Sequence, residues 1–272
     1  MRLRSRWWWD LSTKDFAELD MSKFVAVLPV AAVEQHGPHL PVRVDSAINA
    51  GIMERVAERL PDDLPALILP MQPVGKSVEH TIYPGTLTLT YETLARVWYE
   101  IGESVFRAGC RKLVFANSHG GQPQIMEIVC RELRVKLGMF AVSAWATAGA
   151  DMSDLFDAQE RKHGIHGGEY ETSALLALHP ELVEMQHAGD FASASIQMER
   201  EGRILMPEGG IGYGWQTQDL HPSGACGNAA AADAERGAIA LDRAADRFVA
   251  LLREVADFPL GRITSKTMFN DG

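Results

Sequence analysis

The chain has 272 residues, of which 46% are hydrophobic and 23% charged, ordinary proportions for a globular protein with a deep core. Lys and Arg total 26 against 36 Asp and Glu, a net charge of -10. Such a surface repels phosphate backbones, and no basic stripe with interleaved aromatics offsets it, so no nucleic-acid partner is expected. No apolar run approaches the roughly 20 residues of a membrane helix, so no membrane partner is expected either.

The N-terminus, Met1 to Asp10, is basic and then aromatic, but its apolar stretch is too short for a signal peptide and no small-residue cleavage site follows. Three cysteines, Cys110, Cys130 and Cys226, form no CxxC pair and read as reduced, buried thiols of a cytoplasmic protein. Ser12 and Asp15 have capping-box spacing and open a short helix through Leu19. Phe24–Val30 is a continuous apolar run and reads as a buried strand; Asp45–Leu60 then has helical spacing, with Ile48, Ile52, Val56 and Leu60 four apart. Ala66–Met71 is a second strand, followed by a polar loop from Gly75 to Thr86. An amphipathic helix spans Tyr91–Ala108. Next come a strand at Lys112–Asn117, a helix at Gln124–Leu137 and a strand at Met139–Trp145. Helices at Glu169–Leu178 and Ala229–Val255 complete the pattern, and the Gly-rich stretch His187–Ser223 reads as a surface excursion.

Strands apolar on both faces and alternating with helices predict a three-layer α/β/α sandwich with a mostly parallel central sheet. With no repeat and no linker, residues 1–272 read as one domain. Sites in such folds lie at the C-terminal ends of the strands.

Three of those turns carry metal-ligand residue types. Val33–Asp45 contains Glu34, His36, His39 and Asp45; Asn117–Gly121 contains His119; and His166–Glu171 contains His166, Glu169 and Glu171. Glu34 and His36 are two apart, so in extended backbone they project to one side. A lone histidine after a strand is more often a hydrogen-bonded loop residue, and His39, His163, His179, His187 and His221 fit that reading. Convergence changes the balance for the others: mixed nitrogen and oxygen ligands in this number suit two divalent ions with one bridging carboxylate. No GxSxG elbow and no GxxxxGK[ST] loop is present, and the glycines of 209–214 lack a preceding strand.

The same residues carry a resemblance. Glu34-Gln35-His36-Gly37-Pro38-His39-Leu40-Pro41 with Asp45, Pro84-Gly85-Thr86, Asn117-Ser118-His119-Gly120-Gly121 and His166-Gly167-Gly168-Glu169-Tyr170-Glu171-Thr172-Ser173 look like the creatininase (creatinine amidohydrolase) family, in order from about Leu28 to Glu184. The resemblance implies an α/β/α sandwich, two metal ions (zinc foremost, or manganese or iron), hydrolysis of carbon–nitrogen bonds, and a homohexamer. Carried over by position, Glu34 and His119 would bind one ion, His36 the other, and Asp45 would bridge. The creatinine-cleaving enzymes add a glutamate where this chain has Gly121, so Glu169 is expected to complete the second ion instead. His166 matches the family's proton-shuttle histidine, and Glu171 is expected to orient a ligand. Glu79 and His80 either line the substrate pocket or are simple loop polarity.

The resulting expectation is a dinuclear amidohydrolase that opens a small polar, cyclic amide through a metal-bound hydroxide. A ring-opening hydrolase of a cyclic polyol diketone (inosose type), a peptidase trimming a modified peptide and a noncatalytic metal-binding subunit are the alternatives. Subunit contacts are expected at Trp7-Trp8-Trp9 and at the Gly-rich excursion.

Overall fold

Four short apolar runs set the centre of the molecule. The computed structural model describes residues 3–270; Met1 and Arg2 of the basic N-terminal run, with Asp271 and Gly272, lie outside it. Strands β1 (Val25–Val30), β2 (Ala66–Ile68), β3 (Lys112–Asn117) and β4 (Phe140–Trp145) form one parallel sheet in the order β2-β1-β3-β4. β1 is central and buried along its whole length, as its unbroken apolar sequence requires. It tolerates Pro29 because Val27 and Pro29 address the β2 side, and β2 has already ended at Ile68.

Alternation along β1 divides the core. Val25 and Val27 face helices α2 (Val44–Arg59), α6 (Glu169–Leu178) and α9 (Ala234–Asp257), meeting Ile52, Val56, Leu175, Phe248 and Leu252. Ala26, Leu28 and Val30 face α3 (Tyr91–Arg107) and α4 (Pro123–Leu137), meeting Leu94, Trp98, Val129 and Leu133. The molecule is thus the expected three-layer α/β/α sandwich. Each fully buried large apolar side chain contributes about 1.5–3 kcal/mol.

Other features are smaller. Helix α1 (Thr13–Glu18) carries the expected capping box, with Ser12 as N-cap. The last helix starts later than expected, at Ala234, because Asp233 caps it after a separate 3-10 turn. The excursion is more ordered than its composition suggests. With α5 (Ala158–His163), α7 (Ala194–Arg200), α8 (Thr217–Leu220) and the two-stranded pair β5 (Asp190–Phe191) and β6 (Gly227–Asn228), it folds back over the C-terminal edge of the sheet. Trp7 and Trp8 pack against the two core clusters, leaving only Trp9 of that trio largely exposed. All three cysteines are free and buried, and no helix among the described residues is long and apolar enough to cross a membrane.

Candidate active site

The ends of β1 and β3 lie side by side, with Val30 paired to Asn117, so the turns that follow them open at the same place. Asn117 fixes the second turn: its amide donates to the His119 carbonyl at 2.6 Å and its Oδ1 accepts from His119 N at 3.1 Å. Gln122 donates to Asn117 Oδ1 at 2.9 Å and to the Ala31 carbonyl at 3.3 Å. Asn49 of α2 bridges Val30 and Ala116 carbonyls. These buried amides satisfy the backbone at the strand ends and hold Glu34, Asp45 and His119 in register.

Asp45 sits between two groups of potential ligands. Glu34, Asp45 and His119 offer atoms within 4.8 Å of one another, and so do His36, Asp45 and Glu171. The histidine tautomers follow from their partners, because a carbonyl can only accept. His36 Nδ1 donates to the Glu34 carbonyl at 3.0 Å, which turns Nε2 to face Asp45 Oδ1 at 3.7 Å and Glu171 Oε2 at 3.8 Å. His119 Nε2 donates to the Lys76 carbonyl at 2.8 Å, so its Nδ1 faces Glu34 Oε1 at 3.2 Å and Asp45 Oδ2 at 3.6 Å. His166 Nε2 donates to the Gln35 carbonyl at 2.6 Å, turning Nδ1 toward Glu34 Oε1 at 3.6 Å.

Burial and mutual charge set the protonation of this group. Burial alone would lower His36 and His119, but the adjacent carboxylates outweigh it: Glu171 and Asp45 raise His36 to about 9, and Glu34 and Asp45 raise His119 to about 10. Glu34 is raised by burial yet ends well below its usual range, held down by His119, His80 and His166. Burial and the Glu34 charge raise Asp45. Glu171 is lifted to about 7, chiefly by burial, against the pull of His36. Burial, then the charges of His36 and His80, push His166 well below its usual value, so it is a neutral base at pH 7.

Three of these buried atoms, Glu34 Oε2, His36 Nε2 and Asp45 Oδ2, have no hydrogen-bond partner. Buried carboxylate oxygens and imidazole nitrogens left unpaired are costly unless a cation or another partner joins them. The donor set, two imidazole nitrogens and three carboxylates, fits divalent ions of the zinc, manganese and iron type.

Glu169 is not part of this arrangement. Its carboxylate, expected to complete the second ion, is turned onto Arg236 of α9 in a short ion pair. The cause is helical geometry, since residues two apart on α6 point to different sides. Glu171 is the one that faces His36 and Asp45, so the acid assigned only to orienting a ligand stands among the potential ligands. Its Oε2 also accepts from Gly167 N at 2.5 Å, with Gly167 at φ +60°, where a side chain would be strained.

The start of α6 is held by a residue that the sequence reading passed over. Gly168 provides no side-chain cap, and Glu160 of α5 supplies one from outside. Its Oε1 accepts from Glu169 N at 2.7 Å and its Oε2 from Asn228 N at 2.9 Å. A β-carbon on Gly164, Gly168 or Gly227 would run into Glu160 Oε1, so three glycines make the cradle for one buried carboxylate. Glycines clustering near an acid are the only signal in the sequence, and they become adjacent only in the fold.

Glu79 and His80 stand at the same opening. Gln35 donates to His80 Nδ1 at 2.8 Å, leaving His80 Nε2 3.4 Å from Glu34 Oε1. The cleft above has a volume of about 710 Å³ and is walled by Trp145, Tyr213 and Trp215 beside Lys76, Gln124 and Glu208. Tyr213 and Trp215 come from the Gly-rich excursion, read from sequence as a surface feature. Of the histidines set aside, His39 bonds Thr172 Oγ1 at 2.9 Å and His163 lies between Ser195 and Glu199.

Comparison with known proteins agrees with this fold. The creatininase family profile, described as creatinine amidohydrolase, matches residues 9–252. A mycofactocin precursor peptide peptidase from Mycobacterium ulcerans is 32% identical over 181 residues, 64% of this chain and 66% of that protein, so the match spans just under two thirds of that relative's length. Creatinine amidohydrolase from Pseudomonas putida is 31% identical over 203 residues, 68% of this chain and 76% of its own length. A solved structure, "Creatininase Mn", superimposes with a TM-score of 0.76 at 25% identity, covering 94% of this chain and 100% of its own.

Proposed function

The chain belongs to the creatininase family of metal-dependent hydrolases, and on that footing we propose that it hydrolyses a carbon–nitrogen bond of a polar amide at two divalent ions that share Asp45. Glu34 and His119 would complete one ion, and His36 and Glu171 the other. The observation that carries the reading is the pair of triads meeting at one buried aspartate, with unpaired donor atoms on Glu34, His36 and Asp45. Zinc, manganese and iron all suit such a set. When bound, the ions supply Lewis acidity toward the substrate carbonyl and lower the pKa of water toward neutrality.

The protein's own groups do the rest. His166 is neutral, and its Nδ1 faces the cluster while Nε2 is fixed on the Gln35 carbonyl. It can take a proton at Nδ1 and return it to the departing nitrogen, which would otherwise leave as an unstable anion. Trp145, Tyr213 and Trp215 give a flat substrate an apolar seat and limit water. The Gln35 amide, donating to His80 Nδ1 at 2.8 Å and to the Gly224 carbonyl at 2.7 Å, ties the His80 turn to the chain just after the excursion.

Cleft size favours a second reading of the substrate. The 710 Å³ space is on the scale of a drug-sized ligand, and it adjoins a further cavity of about 380 Å³ along Ile165, Pro207, Glu208 and Gly209. An elongated amide such as a peptide end fits that length better than a single small ring, in line with the peptidase relative. The proposed assembly is a homohexamer, with exposed Ile204, Leu205 and Ile211 of the excursion meeting a neighbouring subunit.

The test is a rate screen of zinc-, manganese- and iron-loaded protein over cyclic amides, formamides, ureides, inososes and short peptides. Turnover of an amide that disappears with chelation and returns with metal supports the proposal. Amide turnover undiminished by complete metal removal sinks it, and turnover of inososes alone would transfer the site to carbon–carbon cleavage.

A further inference from the structure

Position 121 is glycine, and the space a side chain would need there is already taken. A β-carbon on Gly121 would overlap Glu79 Oε1 and stand 2.6 Å from His119 Nε2. Glu79 reaches this spot from a different loop, on the 3-10 turn Val78–His80, and is only 8% exposed. One of its oxygens is tied down: Lys76 Nζ donates to Oε2 at 2.8 Å and to the Gly121 carbonyl at 3.1 Å, so a single ammonium joins the two loops. The other oxygen, Oε1, is buried without a hydrogen-bond partner and lies 3.5 Å from His119 Nε2. That imidazole edge otherwise meets the Lys76 carbonyl at 2.8 Å and Ser77 Oγ at 3.3 Å.

We propose that Glu79 is a positioning residue for His119, placed in the space that Gly121 leaves open, and that its carboxylate sets the orientation and donor strength of the imidazole. The inference rests on the reading of Glu34, Asp45 and His119 as ligands of one ion. Its physical basis is general: a carboxylate behind a ligating histidine fixes the tautomer and makes the inner nitrogen a better donor. Here the outer nitrogen already gives its proton to a carbonyl, so the negative charge 3.5 Å away acts on the ring as a whole, favouring Nε2–H and leaving Nδ1 for the cation. Glycine at 121 is then required by packing, because any side chain would displace the carboxylate. A contact with substrate, the role expected for Glu79 from sequence, makes a different prediction: it changes substrate affinity and leaves ion affinity alone.

The experiment titrates metal-depleted protein with Zn2+ alone, against a chromophoric chelator, and measures KM and kcat separately on whichever amide the wild type turns over. Variants are Glu79→Gln, Glu79→Ala, Gly121→Ala and the Glu79→Ala/Gly121→Ala pair. Glu79→Gln is expected to loosen one of the two ions by 10- to 100-fold and leave the other at its wild-type affinity. Gly121→Ala should do the same although the carboxylate is still in the chain, because the new methyl pushes it aside. In the Glu79→Ala background the overlap with the carboxylate is gone and only the 2.6 Å approach to His119 Nε2 remains, so the double variant should lose less than the sum of the two single variants. Wild-type affinity for both ions in Glu79→Gln overturns the proposal, and so does a raised KM with unchanged ion binding. Strictly additive losses in the pair overturn it as well, since the two residues would then act separately. A wild-type chain that binds no Zn2+ overturns the underlying reading too, and so is told apart from a failure of Glu79 alone. Should Glu79→Gln not fold, Gly121→Ala and the pair decide the matter by themselves.

Discussion

The two sides of the cluster are built in different ways. Glu34, Asp45 and His119 hang from the ends of adjacent parallel strands and the first turn of α2, and buried amides of Asn49, Asn117 and Gln122 lock them there. His36 faces partners that arrive from far along the chain. His166 reaches the Gln35 carbonyl across 131 residues, His166 and Cys226 exchange backbone hydrogen bonds, and Glu160 grips both the start of α6 and Asn228. One side is therefore set by the register of the sheet, whose strands cannot slip without moving the whole core. The other is set by closure of the excursion, which depends on a few buried polar contacts. A site with one wall on the sheet and one on returning loops keeps a rigid half and leaves the other able to vary with substrate.

Asp45 belongs to both sides, so its loss should have the largest effect. Asp45→Asn is nearly isosteric but removes the shared charge from both triads. We expect both ions to be lost and turnover to fall to background, with elemental analysis and rate measured on the same sample. Retention of one tight ion in that variant would show that the two sides do not share the aspartate.

His166→Ala comes next. Its Nδ1 faces Glu34 at 3.6 Å, and it stacks on His36 with ring centroids 4.1 Å apart. The variant should keep both ions and lose roughly 10²–10⁴-fold in kcat, the usual worth of a general acid–base group. Substrates whose leaving group needs no proton should suffer least. Loss of an ion instead would move His166 into the coordination sphere.

Much of the rigid side was legible before any coordinates. The strand at Lys112–Asn117 and the helix at Glu169–Leu178 have the boundaries read from sequence, because apolar runs in a parallel sheet and glycine stops are local signals. Glu34, His36, Asp45 and His119 could be grouped because each follows a recognisable strand or opens a helix. Which of Glu169 and Glu171 faces the cluster is not legible in the sequence for a tertiary reason: Glu169 is turned onto Arg236, 67 residues later. Glu160 and its three glycines are likewise invisible until α5, α6 and β6 meet. Tyr213 and Trp215 looked like surface residues because the excursion has no periodicity to say which way it folds.

Glu160→Gln sharpens the contrast directly. Glutamine keeps the length but puts an amide where carboxylate oxygens accept from Glu169 N and Asn228 N. The ion held by His36 and Glu171 should weaken by about 10- to 100-fold while the one held by Glu34 and His119 does not change. Global stability should fall by about 1–3 kcal/mol, the cost of leaving a buried donor unpaired, measurable by denaturant titration. Equal weakening of both ions would mean that α6 supports the whole cluster rather than one side.

Proton release offers a further comparison. In the metal-free protein His36 and His119 are raised to about 9 and 10, so both are charged at pH 7 and must shed a proton to bind a cation. Above pH 7, where Glu171 has already lost its proton, apparent affinity should therefore rise about tenfold per pH unit for each ion up to those values. Their charged forms stabilise the metal-free fold fully below the unfolded value of 6.5, and this contribution is lost as pH rises through 9 to 10. Calorimetry of metal binding in buffers of different ionisation heat counts the protons. Ion binding that is flat in pH and releases none would remove these histidines from the ligand set.

The smallest effect on chemistry should come from Glu169→Gln, and its smallness is the point. Glu169 and Glu171 lie two apart on one helix, but Glu169 is joined to Arg236 while Glu171 stands 3.8 Å from His36 Nε2. Glutamine at 169 keeps an oxygen that can still accept from the guanidinium, so the charged pair becomes a neutral hydrogen bond. The Arg236 side chain is 30% exposed, which limits what that pair contributes, and about 1 kcal/mol of stability is at stake. Both ions and kcat should stay within a few-fold of wild type. Glu171→Gln, the same chemical change two residues on, should loosen the His36 ion and reduce turnover with it. Should the two variants exchange phenotypes, with Glu169→Gln losing an ion and Glu171→Gln keeping both, α6 presents its other face to the metals and the assignment of the loop-built side falls.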